Sequence, residues 1–215
     1  MESKEGANKL ISDRSSEVYI CDFAMSDSRD ISETALRILE NVVRFGIRFH
    51  DIESVMGKLV GLFTYEKIRE ESREIILGIF HEIGGMGEHF RGLTFFIQQL
   101  PKLYCGLGER CKDISLRLIY FVITSHPESI ENIWINLASV ILNEAPNLIS
   151  ISAKVTSMEI MRICFEYFKM ISCNTKRNVA QDFQALGLEN CLIKLSNETN
   201  SKVSVQATWF LEVLK

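Results

Sequence analysis

Proline is scarce in this chain of 215 residues: Pro101, Pro127 and Pro146 are the three it has, alongside twelve glycines. Scarcity of both leaves long stretches that nothing obliges to turn. No stretch reaches the roughly 18 uncharged apolar residues of a membrane-spanning helix. The opening MESKEGANKLISDRSSE carries charges where a secretory signal needs its apolar segment. Positive charge is not in excess either. Lys and Arg total 24 against 28 Asp and Glu, a formal net charge of -4, which argues against a nonspecific nucleic-acid binder while leaving room for a local basic groove. The six cysteines (Cys21, Cys105, Cys111, Cys164, Cys173, Cys191) form no CxxC pair, and four lie inside apolar helical segments. That usage predicts reduced, buried thiols in a cytoplasmic or nuclear protein. With no signal, the sequon Asn197-Glu198-Thr199 is read as accidental.

Catalytic signatures are missing as well. His81 to His89 reads HEIGGMGEH, not HExxH, and its glycines break the helix that would align metal ligands. Gly84-Gly85-Met86-Gly87 lacks the strand and the lysine of a phosphate loop, so it is read as a helix stop. Cys105 and Cys111 straddle two glycines with no His pair nearby. Glu70, Glu71 and Asp113 are read as helix-start charges and not as an acid–base pair. No GxSxG, kinase or dinucleotide-binding signature occurs. The expectation is a protein that is not an enzyme, with no metal and no cofactor.

What the chain does have is helical periodicity. Asp30 or Ser32 is placed to cap a helix reaching about Phe45, with Ala35, Leu36, Leu39, Val42 and Val43 on one face. Further helices are expected over 51–63, with Asp51 as cap, then 65–83, 90–105 with Pro101 kinking or dividing it, 113–124, 128–143, 158–172, 176–195 and 203–214. Residues 1–30 are polar and weakly periodic. They are expected to cap the first repeat or to stay partly disordered, and Val18 to Phe23 could be a short helix or an extended segment. No strand pair is visible, so the fold class is all-α.

Five of these helices share a pattern. LRILENV, EIILGIF, LRLIYFV, MRICFEY and TWFLEVL align with Leu39, Leu77, Ile119, Cys164 and Leu211 as equivalents, at spacings within or close to those of helical repeats. An irregular helical bundle is the alternative. The segment 173–215 sharpens the choice. Ala185-Leu186-Gly187-Leu188 precedes Leu192-Ile193-Lys194-Leu195, and Ala207 to Val213 follows as ATWFLEV. This grammar resembles an armadillo repeat, strongest over 173–215 and weaker over 31–172.

The resemblance implies a right-handed α–α superhelix of about four to five armadillo- or HEAT-like repeats over 31–215. It also implies a non-catalytic adaptor or scaffold that recognises another protein with its inner, concave helices. Within that class it would allow a chaperone regulator similar to the armadillo-type exchange factors of Hsp70, or a subunit of a larger assembly. Importin-alpha-type receptors grip basic peptides with a Trp and an Asn four residues later. Here the Trp column is Arg37, Ile75, Arg117, Arg162 and Trp209, and the Asn column is Asn41, Ile79, Phe121, Glu166 and Val213. Trp209 and Asn41 never share a repeat, so nuclear-localisation-signal binding by that mechanism is not expected.

Arg37, Arg117 and Arg162 occupy one repeat position, and three guanidinium forks in a row would suit an acidic peptide or helix. Trp209 is read either as an anchor for the partner or as packed against Phe210. An armadillo repeat normally adds a helix after the Trp-bearing one. Phe210, Leu211 and Leu214 are therefore expected to lack part of their cover and to form an interface, a dimer contact or an unusual cap. The alternative function is an RNA-binding or translation-factor-like helical repeat. It would need a contiguous face from Arg44, Arg48, Lys58, Lys67, Arg69 and Arg73, which Glu66, Glu70, Glu71 and Glu74 interrupt.

Overall fold

The computed structural model describes residues 4–11, 14–86, 91–131, 140, 141, 143–175 and 179–214. Among them are eleven α-helices and no strand. They are α1 (Lys4–Leu10), α2 (Arg14–Ala24), α3 (Arg29–Arg44), α4 (Ile52–Phe63), α5 (Glu70–Gly85), α6 (Arg91–Tyr104), α7 (Glu109–Ser125), α8 (Ile151–Thr175), α9 (Val179–Ala185), α10 (Glu189–Ser196) and α11 (Ser201–Val213). The chain divides into two compact units, Met1–Gln99 and Leu100–Lys215.

In the first unit, α3 packs against α1, α2 and α5, while α4 packs against α2 and α5. The start of the chain is helical despite its polarity. Glu17, Ile20, Cys21 and Ala24 fall at i, i+3, i+4 and i+7 of α2 and are all buried. Glu17 does the unusual work here. Its carboxylate accepts from the backbone N–H of His50 (2.6 Å) and of Asp51 (3.1 Å), and from His50 Nδ1 at 2.8 Å. It thereby ties α2 to the chain entering α4, whose N-cap Asp51 accepts from Ser54 N at 3.1 Å. Farther in, Phe96 stacks edge-on to Phe63 at 5.0 Å and tilted to Phe80 at 4.7 Å.

In the second unit, α8 packs against α7, α9 and α11, and α10 packs against α11. Met158, Met161, Cys164 and Phe165 bury one face of α8; Leu192, Leu195, Val203, Ala207 and Phe210 close the layer formed by α10 and α11. Buried Lys112 meets Glu144 at 2.9 Å and lies 5.9 Å from the Tyr104 ring. The five residues aligned as repeat equivalents fall on α3, α5, α7, α8 and α11. The first four are buried and Leu211 is partly exposed.

Several expected boundaries are corrected. Helix α3 starts behind Ser28, not at Asp30 or Ser32; Asp30 sits in its first turn, and the buried Ser32 hydroxyl donates to Ala24 O at 2.6 Å. Helix α5 begins at Glu70, not Tyr65, and runs through Gly84 and Gly85. Helix α6 continues through Pro101 undivided. Asp113 lies beyond the first turn of α7, which starts at Glu109. The expected helix 176–195 is two helices, because Gly187 takes a left-handed φ of +68° that ends the first run. Much of the expected helix 128–143 lies outside the described residues.

Candidate functional site

Helix α8 carries a second stripe beside its buried face: Arg162, Ile163, Glu166, Tyr167 and Met170, spaced so that all share one side of the helix. On α11, Val205, Gln206, Trp209 and Phe210 repeat that spacing. The two stripes line an open groove of about 720 Å³, whose remaining lining is Pro127 and Ile130. Most of that lining is apolar, yet it is not sealed. Met170 is 69% exposed and Val205 66%.

An aromatic cluster positions Trp209 in this groove. Phe165 makes edge-on contacts with Phe183 (5.1 Å), Trp209 (5.9 Å) and Phe210 (6.0 Å), and Trp209 meets Phe210 at 4.8 Å. Trp209 is therefore held by packing on one side while part of its ring stays open to the groove. The packing against Phe210 expected of Trp209 is present, and the side chain is only half-buried.

The polar groups are few. Arg162 and Glu166 stand four residues apart with no ion-pair partner among the described residues. Partial burial pushes the Tyr167 phenol up, reinforced by the carboxylates of Glu131 and Glu128 and by its hydrogen bond to Glu131. Gln206 Oε1 is buried and has no hydrogen-bond partner among the described residues.

The structure treats the other expected residues differently. Arg37 is exposed on α3, but its Nη1 meets Glu40 Oε2 at 3.0 Å while Arg44 holds Glu40 Oε1 at 2.9 Å. Arg117 is held by Asp113 at 2.7 Å on its own helix. Asn41 is half-buried on α3. Only Arg162 and Trp209 of the five meet in this groove. The expectation that Phe210, Leu211 and Leu214 lack cover is corrected for two of them. Phe210 is 1% exposed against Phe165 and Trp209, and Leu214 is buried with its carbonyl accepting from Gln184 Nε2; Leu211 alone stays partly open. Tyr167, Met170, Val205 and Gln206 were not singled out from the sequence, although Met170 lies two turns along the same face from Arg162.

Among the described residues no cluster of three or more His, Cys, Asp or Glu is arranged to hold a metal. Among the described residues, too, no helix is long and apolar enough to cross a membrane.

No family model matches the chain, and no curated protein matches it in sequence. Solved structures do match its fold. A computationally designed armadillo repeat protein for modular peptide recognition aligns over 100% of this chain and 88% of its own, with a TM-score of 0.65 at 15% identity. Another designed armadillo repeat protein, solved with the peptide (KR)4, covers 100% and 87% at a TM-score of 0.64 and 15% identity. A third covers 100% and 88% at 0.60 and 16%. The chain has the all-α, armadillo-type helical repeat fold.

Proposed function

We propose that this protein is a non-catalytic, protein-binding repeat scaffold that holds a peptide segment of another protein in the α8–α11 groove. The observation that carries this reading is the open apolar groove, with Trp209 fixed by packing and Met170 and Val205 left uncovered. Designed proteins of the same fold are described as peptide binders, which supports the class of ligand.

The chemistry favours an apolar segment flanked by basic residues over the acidic peptide expected from three arginines. Two of those guanidinium groups are already neutralised on their own helices. In the groove, Arg162 and Glu166 both line the wall, and Glu131 and Glu128 act on Tyr167. A ligand cation would find carboxylates together with the aromatic faces of Trp209 and Tyr167. An adaptor role, including that of a chaperone regulator or assembly subunit, is consistent with such a surface. Four of the six cations named for the RNA-binding alternative are held in ion pairs, which counts against it. Arg44, Lys58, Arg69 and Arg73 are engaged by Glu40, Asp22, Glu33 and Glu70 respectively.

The test is selection of peptides from a displayed library against the intact chain. Fluorescence anisotropy then compares each selected peptide on the wild type and on M170D, V205D and W209A. The expected result is net-basic, apolar peptides whose affinity falls at least tenfold in M170D and V205D, whose side chains are exposed enough to spare folding. Equal affinity in all variants, or no enrichment at all, refutes the groove assignment.

A further inference from the structure

Helices α3 and α5 pack against each other, and their first turns line one pocket of about 250 Å³ within the first unit. Arg29 and Ser32 come from the start of α3, Arg69 and Ser72 from the start of α5, and Tyr65 and Lys67 from the chain leading into α5. Each helix runs for 16 residues, and neither N-cap residue supplies a side-chain hydrogen bond to the first turn. Both helices therefore contribute the positive end of their dipole to the pocket wall.

Two donors in this wall lack an acceptor. Arg69 Nη1 is buried and makes no hydrogen bond among the described residues; Glu33 Oε2, at 3.9 Å, is too far to accept one. Ser72 is 4% exposed, and its hydroxyl has no hydrogen-bond partner among the described residues. Donors left unserved at a buried position are costly, and a group that only accepts hydrogen bonds relieves both at once.

Charge points the same way. Of the four charged residues that line the pocket, Arg29, Lys67 and Arg69 are cations and Asp27 is the one anion. Lys67 has no ion-pair partner among the described residues. Glu33 approaches Arg29 Nε at 3.8 Å as well as Arg69, and reaches hydrogen-bond distance of neither. With Glu33 counted, three cations still face two carboxylates.

We infer that this pocket binds a phosphate monoester, with Arg69 and Ser72 donating to its oxygens and Arg29 and Lys67 supplying the surrounding positive charge. A phosphate monoester brings a charge of about −1.5 to −2 and three strong acceptor oxygens. A carboxylate brings one charge and two oxygens, and so serves fewer of these donors. Two helix N-termini add to the preference for the more highly charged group. Asp27 opposes any anion here, which gives the inference a test of opposite sign. The pocket belongs to the first unit alone and does not depend on ligand binding in the second.

The experiment uses the full chain and a fluorescein-labelled peptide of glycine and alanine around one central phosphoserine, beside the same peptide with serine or glutamate there. Anisotropy is expected to show the phosphoserine peptide bound at least tenfold more tightly than the serine peptide and at least fivefold more tightly than the glutamate peptide. K67E, at an exposed position, and S72A, which removes one hydroxyl, are each expected to weaken it at least threefold, and R69Q at least tenfold, with helicity by circular dichroism unchanged. D27N is expected to tighten it. N-acetyl-O-phosphoserine methylamide, titrated into the 15N-labelled chain, should shift the amide resonances of the first turns of α3 and α5. Peptide binding at least fivefold tighter than that of this small compound identifies a phosphorylated polypeptide as the source of the group, and equal binding identifies a small phosphate ester; either supports the inference. Equal binding of the phosphoserine and serine peptides overturns it, as does unchanged binding in both K67E and R69Q. Single-stranded RNA that binds more tightly than the phosphoserine peptide and is released by R69Q assigns the pocket to a nucleic-acid backbone, which also overturns it.

Discussion

Removing the Glu17 carboxylate should loosen the start of the chain more than any change at an exposed charge. Glu17 is 1% exposed and accepts three hydrogen bonds, two of them from backbone N–H groups that enter α4. Glu17→Ala strands both donors. Hydrogen bonds to a charged acceptor contribute about 1.5–3 kcal/mol each, so losing the backbone pair sets a range of about 3–6 kcal/mol. Water can reach part of the vacated space, because the His50 side chain is half-exposed. The expected net loss is therefore near the bottom of that range, about 3 kcal/mol. Glu17→Gln keeps the shape and one acceptor oxygen, so its loss should be about half as large. His50→Ala removes only the side-chain bond and should cost about 1 kcal/mol. Urea unfolding followed by circular dichroism measures the totals, and hydrogen exchange locates them. Faster exchange should be confined to α2 and the first turn of α4, with α8 and α11 unchanged. A Glu17→Ala loss below about 1 kcal/mol, or loosening spread evenly over both units, would refute the argument.

Five further outcomes follow from local geometry. Gly187→Ala forces a side chain into a φ of +68° and should destabilise by about 1 kcal/mol, seen as a lower urea midpoint and faster exchange at the α9–α10 turn. Gly92→Ala would put a Cβ 2.8 Å from Met56 Cβ, an atom fixed to its own helix, so overpacking should cost about 1–3 kcal/mol in the same assay. Lys112→Ala leaves Glu144 without its partner and strips packing from Tyr104, at about 3 kcal/mol, whereas Lys112→Met should cost clearly less because it refills the volume. Among the described cysteines, mass spectrometry after brief alkylation should find Cys105 labelled first, with Cys21, Cys111 and Cys164 protected until unfolding. Burial pushes the Cys21 thiol up to about 11, so an unfolded chain ionises it at lower pH than the folded one does. Its contribution to stability is whole below pH 9 and declines as pH rises toward 11; the decline should be smaller in Cys21→Ala.

The fold was legible where one physical signal dominated. Apolar residues at helical spacing located α3, α4, α5 and α7, and the recurrence of that pattern led to the repeat architecture that solved structures of the same fold match over the full chain. Failures came where two signals competed. Net polarity left α2 open between a short helix over Val18 to Phe23 and an extended segment, because its buried stripe includes a carboxylate; Glu17 counts as a surface residue until the two backbone donors it serves are known. Asp30 and Ser32 both resemble helix caps. Position in sequence could not reveal that the Ser32 hydroxyl would be spent on Ala24 O, leaving Ser28 to start the helix. At Gly187 the resemblance had already marked a glycine before the final apolar run, but its consequence, a break between two helices, depends on a positive φ that no spacing specifies.

The arginines show why a site is harder to read than a fold. Repeat alignment gives Arg37, Arg117 and Arg162 one equivalent position, and equivalence predicts a shared charge presented to a ligand. What reaches a ligand is the charge left after neighbours on the same helix have been satisfied. Arg37 has Glu40 three residues on, and Arg117 has Asp113 four residues back, both at distances an ion pair closes. Those partners were visible in the sequence, since i±3 and i±4 neighbours share a helix face. Arg162 has Glu166 at the same spacing and yet pairs with none of the described residues. Spacing therefore permits a pair without compelling one. What distinguishes Arg162 is its surroundings: it lies in a groove with Tyr167, Met170, Val205 and Trp209, where apolar contact area and not the cation makes up most of the surface offered. Arg162→Glu should accordingly leave an apolar, basic ligand bound, and bound more tightly at low salt, while the same change at Arg37 or Arg117 should leave its affinity unaltered. Loss of that ligand in Arg162→Glu with helicity retained would return the groove to the acidic-peptide reading.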